Sequence, residues 1–118
     1  NLIRRMCMEI TEAEVCIKVA ACVCAKDGLL SLAEEEMIFK LVTEKWPTYQ
    51  KADFNRVIDE FFDSTDQIED YISNLLNEES RKFSLHLSKV SASADGLEIR
   101  ENIALEKAYI LCGLPPNE

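Results

Sequence analysis

The sequence predicts an all-α fold, a single-domain helical bundle of about six to seven helices. Three observations carry that reading. Gly and Pro number only three each in 118 residues, so long helices joined by short turns are favoured. Apolar residues recur at helical spacing, and no sustained two-residue alternation is present. An Asp-Gly pair ends an apolar stretch twice, at Asp27-Gly28 and at Asp95-Gly96, and a second helical pattern starts a few residues after each. The length suits one domain, residues 1–118, with a single modest core.

Residues 1–10 mix apolar side chains with two arginines and read as a short lead helix or the end of a longer one. The next helix spans about 12–26. Thr11 and Glu14 form a capping-box pattern before it, and Gly28 sits where a C′ glycine belongs. Ile10, Ala13, Ile17, Ala20 and Cys24 share one stripe, and Val15, Val19, Cys22 and Val23 fill much of the rest, the pattern of a central helix. A helix over about 32–45 follows, with Ser31 as N-cap, Glu34 at N3 and Pro47 as its stop. Met37, Ile38, Leu41 and Val42 form its apolar face. The third spans about 51–62, opened by Thr48 or Asp53, with Phe54, Val57, Ile58, Phe61 and Phe62 apolar. The fourth spans about 66–76, with a capping-box pattern at Ser64–Gln67 and Ile68, Tyr71, Ile72, Leu75 and Leu76 on its face.

Asn77 breaks the pattern and is placed to cap a helix over about 78–94, whose stripe is Phe83, Leu87, Val90 and Ala94, with Leu85 beside it and Gly96 at C′. The last helix covers about 98–112 and stops at Gly113, before Pro115-Pro116. The helix–loop–helix of residues 11–46 thus recurs at 78–113. Lys18 aligns with His86, Asp27 with Asp95, and Gly28 with Gly96. Beyond the glycine the second copy is one residue shorter, so Glu34 aligns with Glu101. The simplest packing puts the first helix of each copy together at the centre.

A formal charge of −9 argues against a nucleic-acid binder, which needs a basic patch to track phosphates. It suits a cation, a basic partner, or simple solubility. The five cysteines are odd in number, and three lie in one apolar helix, so they read as small packing residues in a reducing compartment. The Cys22-x-Cys24 pair points in directions about 200° apart on a helix, which argues against a local metal site. The apolar run 15–25 contains Lys18 and is about half the length of a membrane span. With one histidine, His86, a His-based metal centre or a Ser-His-Asp triad has little to build on. No Gly-rich phosphate loop is present, and no enzymatic activity is expected. Trp46 reads as a packing residue. The acidic run Asp59, Glu60, Asp63, Asp66, Glu69 and Asp70 reads as a solvated face or as a docking surface for a basic partner.

The stretch from Asp27 to Glu34 matches the second half of an EF-hand loop, with Gly28 at the turn and Glu34 at the closing position. Positions one and three would be Val23 and Ala25, which offer no side-chain oxygen. In the second copy they would be Ser91 and Ser93, and the glutamate comes a residue early. Neither loop completes a site alone; a cation held between the two loops stays open. So does a purely structural reading, in which Gly28 ends one helix and Ser31 and Glu34 begin the next. That reading leaves Asp27 and Asp95 unexplained, because an acid in a last helical turn opposes the macrodipole.

The stretch A-K-D-G-L-L-S-L-A-E-E-E and the later S-A-D-G-L-E-I-R-E-N-I-A-L-E-K-A-Y-I-L-C-G-L resemble the TerB-like family, small all-helical domains of bacterial tellurite-resistance operons and of the front of DjlA-type membrane co-chaperones. The resemblance covers roughly residues 10 to 114. It implies a helical bundle with a pseudo-repeat and no enzymatic activity, and an acidic surface that binds a divalent cation, Ca2+ in particular. It also implies protein partners in stress-response or membrane-associated complexes, at the inner face of the membrane in the cytoplasm. Carried over by position, the candidate metal ligands are Asp27, Glu34, Asp95 and Glu101, with Glu35 and Glu98 as neighbours able to substitute. The chain departs from the family pattern in its shorter second loop and in Leu29 and Leu97, where the family often has a polar residue.

Overall fold

The computed structural model describes the backbone of residues 2–25, 30–94, 96 and 99–114, and the side chains of all these except 2–10 and 99–100. Six helices lie in this part of the chain: α1 (Leu2–Cys24), α2 (Leu32–Lys45), α3 (Lys51–Asp63), α4 (Ile68–Ile72), α5 (Glu78–Ala92) and α6 (Ile99–Cys112). They form one helical bundle with a Cα radius of gyration of 13.3 Å. No described helix is long and apolar enough to cross a membrane.

The first helix differs from the expectation. Residues 2–10 do not form a separate lead helix, and Thr11 does not cap one. The helix runs unbroken from Leu2 to Cys24. The segment before Thr11 holds no Gly or Pro to stop it, and Leu, Met, Arg and Glu all propagate a helix well. Glu14, freed from capping, turns to α3: its carboxylate pairs with the Arg56 guanidinium and accepts a hydrogen bond from the Tyr49 hydroxyl at 3.3 Å. Burial and the nearby Glu14 carboxylate both push the Tyr49 phenol well above its ordinary pKa.

α1 is the central element. It touches every other helix and packs most extensively against α5, as the pseudo-repeat suggested. Ala13, Cys16, Ile17, Val19, Ala20, Ala21 and Val23 are completely buried on it. The buried face of α5 is not the apolar stripe expected. Ser80, Ser84, Ser88 and Ser91 are buried with Leu85, Leu87 and Ala92, while Phe83 and Val90 are half-buried flanks and Ala94 is exposed. Serine can take core positions because its hydroxyl can bond its own helix. Ser88 Oγ donates to the Ser84 carbonyl at 2.7 Å, and Ser84 Oγ to the Arg81 carbonyl at 2.8 Å. Across the helix pair, the Cys16 thiol contacts the Ser80 carbonyl at 3.8 Å; burial pushes that thiol up to about 12.

The helix starts and stops follow local chemistry. Asn77 Oδ1 accepts from the Ser80 N–H at 2.8 Å and opens α5. Neither Thr48 nor Asp53 opens α3; Gln50 holds the N-cap position, with no side-chain capping bond. Ser64 and Gln67 do not form a capping box either. The N–H of Gln67 donates instead to Asp70 Oδ2 at 2.8 Å, and α4 begins after Gln67. α4 also ends early, at Ile72. Ser73 Oγ and Asn74 Nδ2 donate to the Asp70 carbonyl at 2.7 and 2.9 Å, side-chain bonds that compete with further helical turns. Leu76 and Phe62, expected on inward faces, are 85% and 43% exposed. α6 closes on Gly113, at φ +73°. The N–H of Gly113 donates to the Ile110 carbonyl at 3.0 Å, and that of Leu114 to the Tyr109 carbonyl at 3.1 Å, the paired bonds of a Schellman motif. Gly96 has φ +95° but follows Ser93, the C-cap of α5, by three residues, so it shapes the turn rather than standing at C′. Gly28, expected at the C′ of the first helix, lies outside the described residues.

Candidate metal-binding site

The start of α2 is built as expected. Ser31 Oγ accepts from the Glu34 N–H at 3.1 Å, and Glu34 Oε1 accepts from the Ser31 N–H at 3.0 Å. This reciprocal box satisfies two backbone donors that a helix start leaves open. It also turns the Glu34 carboxylate inward, and Glu34 is only 4% exposed. Glu101, its counterpart by the repeat, sits in the first turn of α6 and is equally buried at 4%. The packing of both copies against the end of α1 brings the two together. Glu34, Glu101 and Cys24 each offer one ligand atom, and these three atoms lie within 4.8 Å of one another.

Glu35 is half-buried and does not belong to this group. Asp27, Asp95 and Glu98 lie outside the described residues. Cys24, read from the sequence as a packing residue, does pack in the core at 5% exposure. It also faces the two carboxylates, a role its helical stripe could not reveal, because a core thiol and a ligand thiol leave the same apolar pattern.

Two carboxylates in such a place need compensation. Unit charges ~5 Å apart repel by roughly 3 kcal/mol at an effective dielectric of about 20. The N-termini of α2 and α6 each supply a positive dipole end, and Ser31 supplies one N–H. A divalent cation would turn the mutual repulsion into attraction to a shared centre. The donor set is mixed. Calcium takes six to eight oxygens, more than Glu34 and Glu101 provide between them. A thiolate with two carboxylates is a set that zinc accepts.

The acidic run of α3 and α4 is exposed, apart from the residues between its acids that face the core. Part of it is neutralised within the chain. Glu60 pairs with Arg56 at 2.7 Å and Lys18 at 3.6 Å, and Glu69 pairs with Lys107 at 2.9 Å. The Arg56 hydrogen bond holds the Glu60 carboxyl below its usual range, and the Lys107 hydrogen bond does the same for Glu69. Asp59, Asp63 and Asp66 form no ion pair among the described residues. His86 is exposed, and Trp46 packs edge-on against Phe83 at 5.3 Å. No disulfide joins the described cysteines Cys16, Cys22, Cys24 and Cys112.

No family model, curated protein or solved structure matches the chain.

Proposed function

We propose that this chain is a non-enzymatic, TerB-like binding domain whose ligand is a divalent cation held by Glu34 and Glu101 at the starts of α2 and α6. One observation carries the reading. Two glutamates matched by the internal repeat are both buried, and their ligand atoms gather with Cys24 Sγ within 4.8 Å. The resemblance of the paired loops to the TerB-like pattern supports the same ligand class. It also supports a setting in tellurite-resistance or stress-response complexes, with protein partners at the inner face of the membrane.

The test is thermal unfolding of the metal-stripped protein with added calcium or zinc. A cation at a hundred times its Kd adds about 2.7 kcal/mol of stability, a rise of several degrees in Tm for a domain of this size. The rise is expected to vanish in the Glu34→Gln, Glu101→Gln double variant. Glutamine keeps an acceptor for the Ser31 N–H, so the cap survives. Cys24→Ser separates the metals, because only a zinc-induced shift depends on the thiol. If neither ion moves Tm, the cation reading is wrong. The alternative is then a metal-free interaction module presenting the exposed Asp59, Asp63 and Asp66 face to a basic partner.

A further inference from the structure

Four of the nine described lysines and arginines of this acidic chain face a carboxylate from another element. Lys18 pairs with Glu60, Lys45 with Glu79, Arg56 with Glu14 and Glu60, and Lys107 with Glu69. Lys51 instead lies over the Phe39 and Phe54 rings, and Arg81 bonds the Leu75 carbonyl; one face of α5 gathers three basic side chains. Lys82, His86 and Lys89 lie along it at helical spacing and all are exposed. Lys82 reaches Glu78 only at 3.7 Å, in an exposed pair of little strength. His86 and Lys89 form no ion pair among the described residues.

Beneath these three side chains lies a cleft of about 310 Å³, whose apolar wall is Leu85, Tyr109 and Leu114. The Schellman motif at the end of α6 builds that wall. It folds the chain back so that Leu114, at C″, stands beside Tyr109, at C3. A volume of this size is at the small-molecule end of binding sites. A partner helix, about 10–12 Å across, needs a longer groove.

The repeat shows what such a place uses. Lys18 is the counterpart of His86 in the first copy. There the cation meets an aromatic ring, Tyr71 at 5.9 Å, and a carboxylate, Glu60 at 3.6 Å. In the second copy the cations and an aromatic ring, Tyr109, line one cleft, but no described carboxylate answers His86 or Lys89. We infer that this cleft binds a small anionic amphiphile, its apolar body against Leu85, Tyr109 and Leu114 and its carboxylate or phosphate head among Lys82, His86 and Lys89. The lysine stems can lie along the apolar wall while their ammonium groups turn to the head. The local positive field opposes the chain's overall repulsion of anions.

Calorimetric titration with sodium octanoate tests this on the intact chain, beside 1-octanol and sodium acetate as probes lacking the head or the body. Saturable one-to-one octanoate binding is expected, with octanol and acetate each weaker by about tenfold or more. The Lys82→Glu, Lys89→Glu variant, altered only at exposed positions, is expected to keep its helical circular dichroism and lose at least about tenfold in octanoate affinity. Leu114→Ala is expected to weaken octanoate and leave acetate unchanged. Absence of saturable octanoate binding up to about 10 mM, equal binding of octanol, or full affinity in the lysine variant would each overturn the inference. Co-sedimentation with phosphatidylglycerol vesicles without octanoate binding would overturn it in favour of a membrane-surface contact.

Discussion

α1 brings Ile17, Val19 and Val23 to the centre of the bundle, whereas α5 buries Ser80, Ser84, Ser88 and Ser91. The two helices hold equivalent places in the repeat and pack more extensively on each other than any other pair. One contributes bulk and the other contributes thinness. Apolar area drives burial, but two bulky faces would hold the helix axes further apart than a bulky face on a small one. The repeat therefore preserves topology while dividing the packing task unequally. Its polar ends diverge too. The first copy answers its Lys18 from within the chain, and the second leaves His86 and Lys89 facing an open cleft.

The largest effect that can break this comparison is a change of size on the buried faces of the two helices. Ile17→Ala is expected to cost about 2–5 kcal/mol in urea unfolding. Ser88→Ala, by contrast, is expected to change stability by less than about 1 kcal/mol, since the lost hydroxyl bonded a carbonyl of its own helix. Ser88→Leu is expected to cost about 1–3 kcal/mol through overpacking. A Ser88→Leu protein as stable as the parent would show that α5 has no need of thinness.

An intermediate effect concerns the two helix starts. Glu34→Ala removes half of the capping box and is expected to cost about 0.5–2 kcal/mol without added metal, with Glu34→Gln nearer the parent. If the alanine variant proves more stable than the parent in metal-free buffer, repulsion from Glu101 outweighs the cap.

The smallest effect concerns the exposed ion pairs. The folded-state pKa values of Glu60 and Glu69 are depressed. Their contribution is therefore present above the unfolded carboxyl value of about 4.3 and is lost as pH falls through the lower folded value. Lys107→Gln is expected to flatten slightly the fall in Tm below about pH 4.5. An identical acid profile would mean that the Glu69 pair contributes nothing measurable, as exposed pairs often do not.

The order of these effects follows what the sequence made legible. Signals held within a few residues read through well: Ser31 with Glu34, Asn77 before α5 and Gly113 after α6 all act as their local chemistry requires. Thr11 carried a signal of the same kind and failed, because a cap needs a non-helical residue and the segment before it had nothing to stop a helix. Gln67 and Asp70 show the converse, a short-range bond that wins over the Ser64 pattern. The burial of Ser84 and Ser88 was hidden by residue type, since a polar side chain that bonds its own turn is indistinguishable in sequence from one facing water. The meeting of Glu34 and Glu101 was reachable only by aligning the two copies. Cys24 joined them through tertiary packing, which no spacing within α1 encodes.

The serines of α5 have a mechanical consequence. Ser84 and Ser88 donate their hydroxyls to carbonyls of their own helix, so those protons do not tie α5 to α1; a long thiol contact from Cys16 to Ser80 crosses that pair, and Ser84 also meets the Cys112 thiol of α6. Polar bonds also hold the N-terminal end of α5, where Asn77 caps the helix and Arg81 Nε donates to the Leu75 carbonyl at 2.9 Å. Lys82, His86 and Lys89 ride on the same rigid helix, so the bonds that seat its buried face also fix where these three side chains stand at the surface.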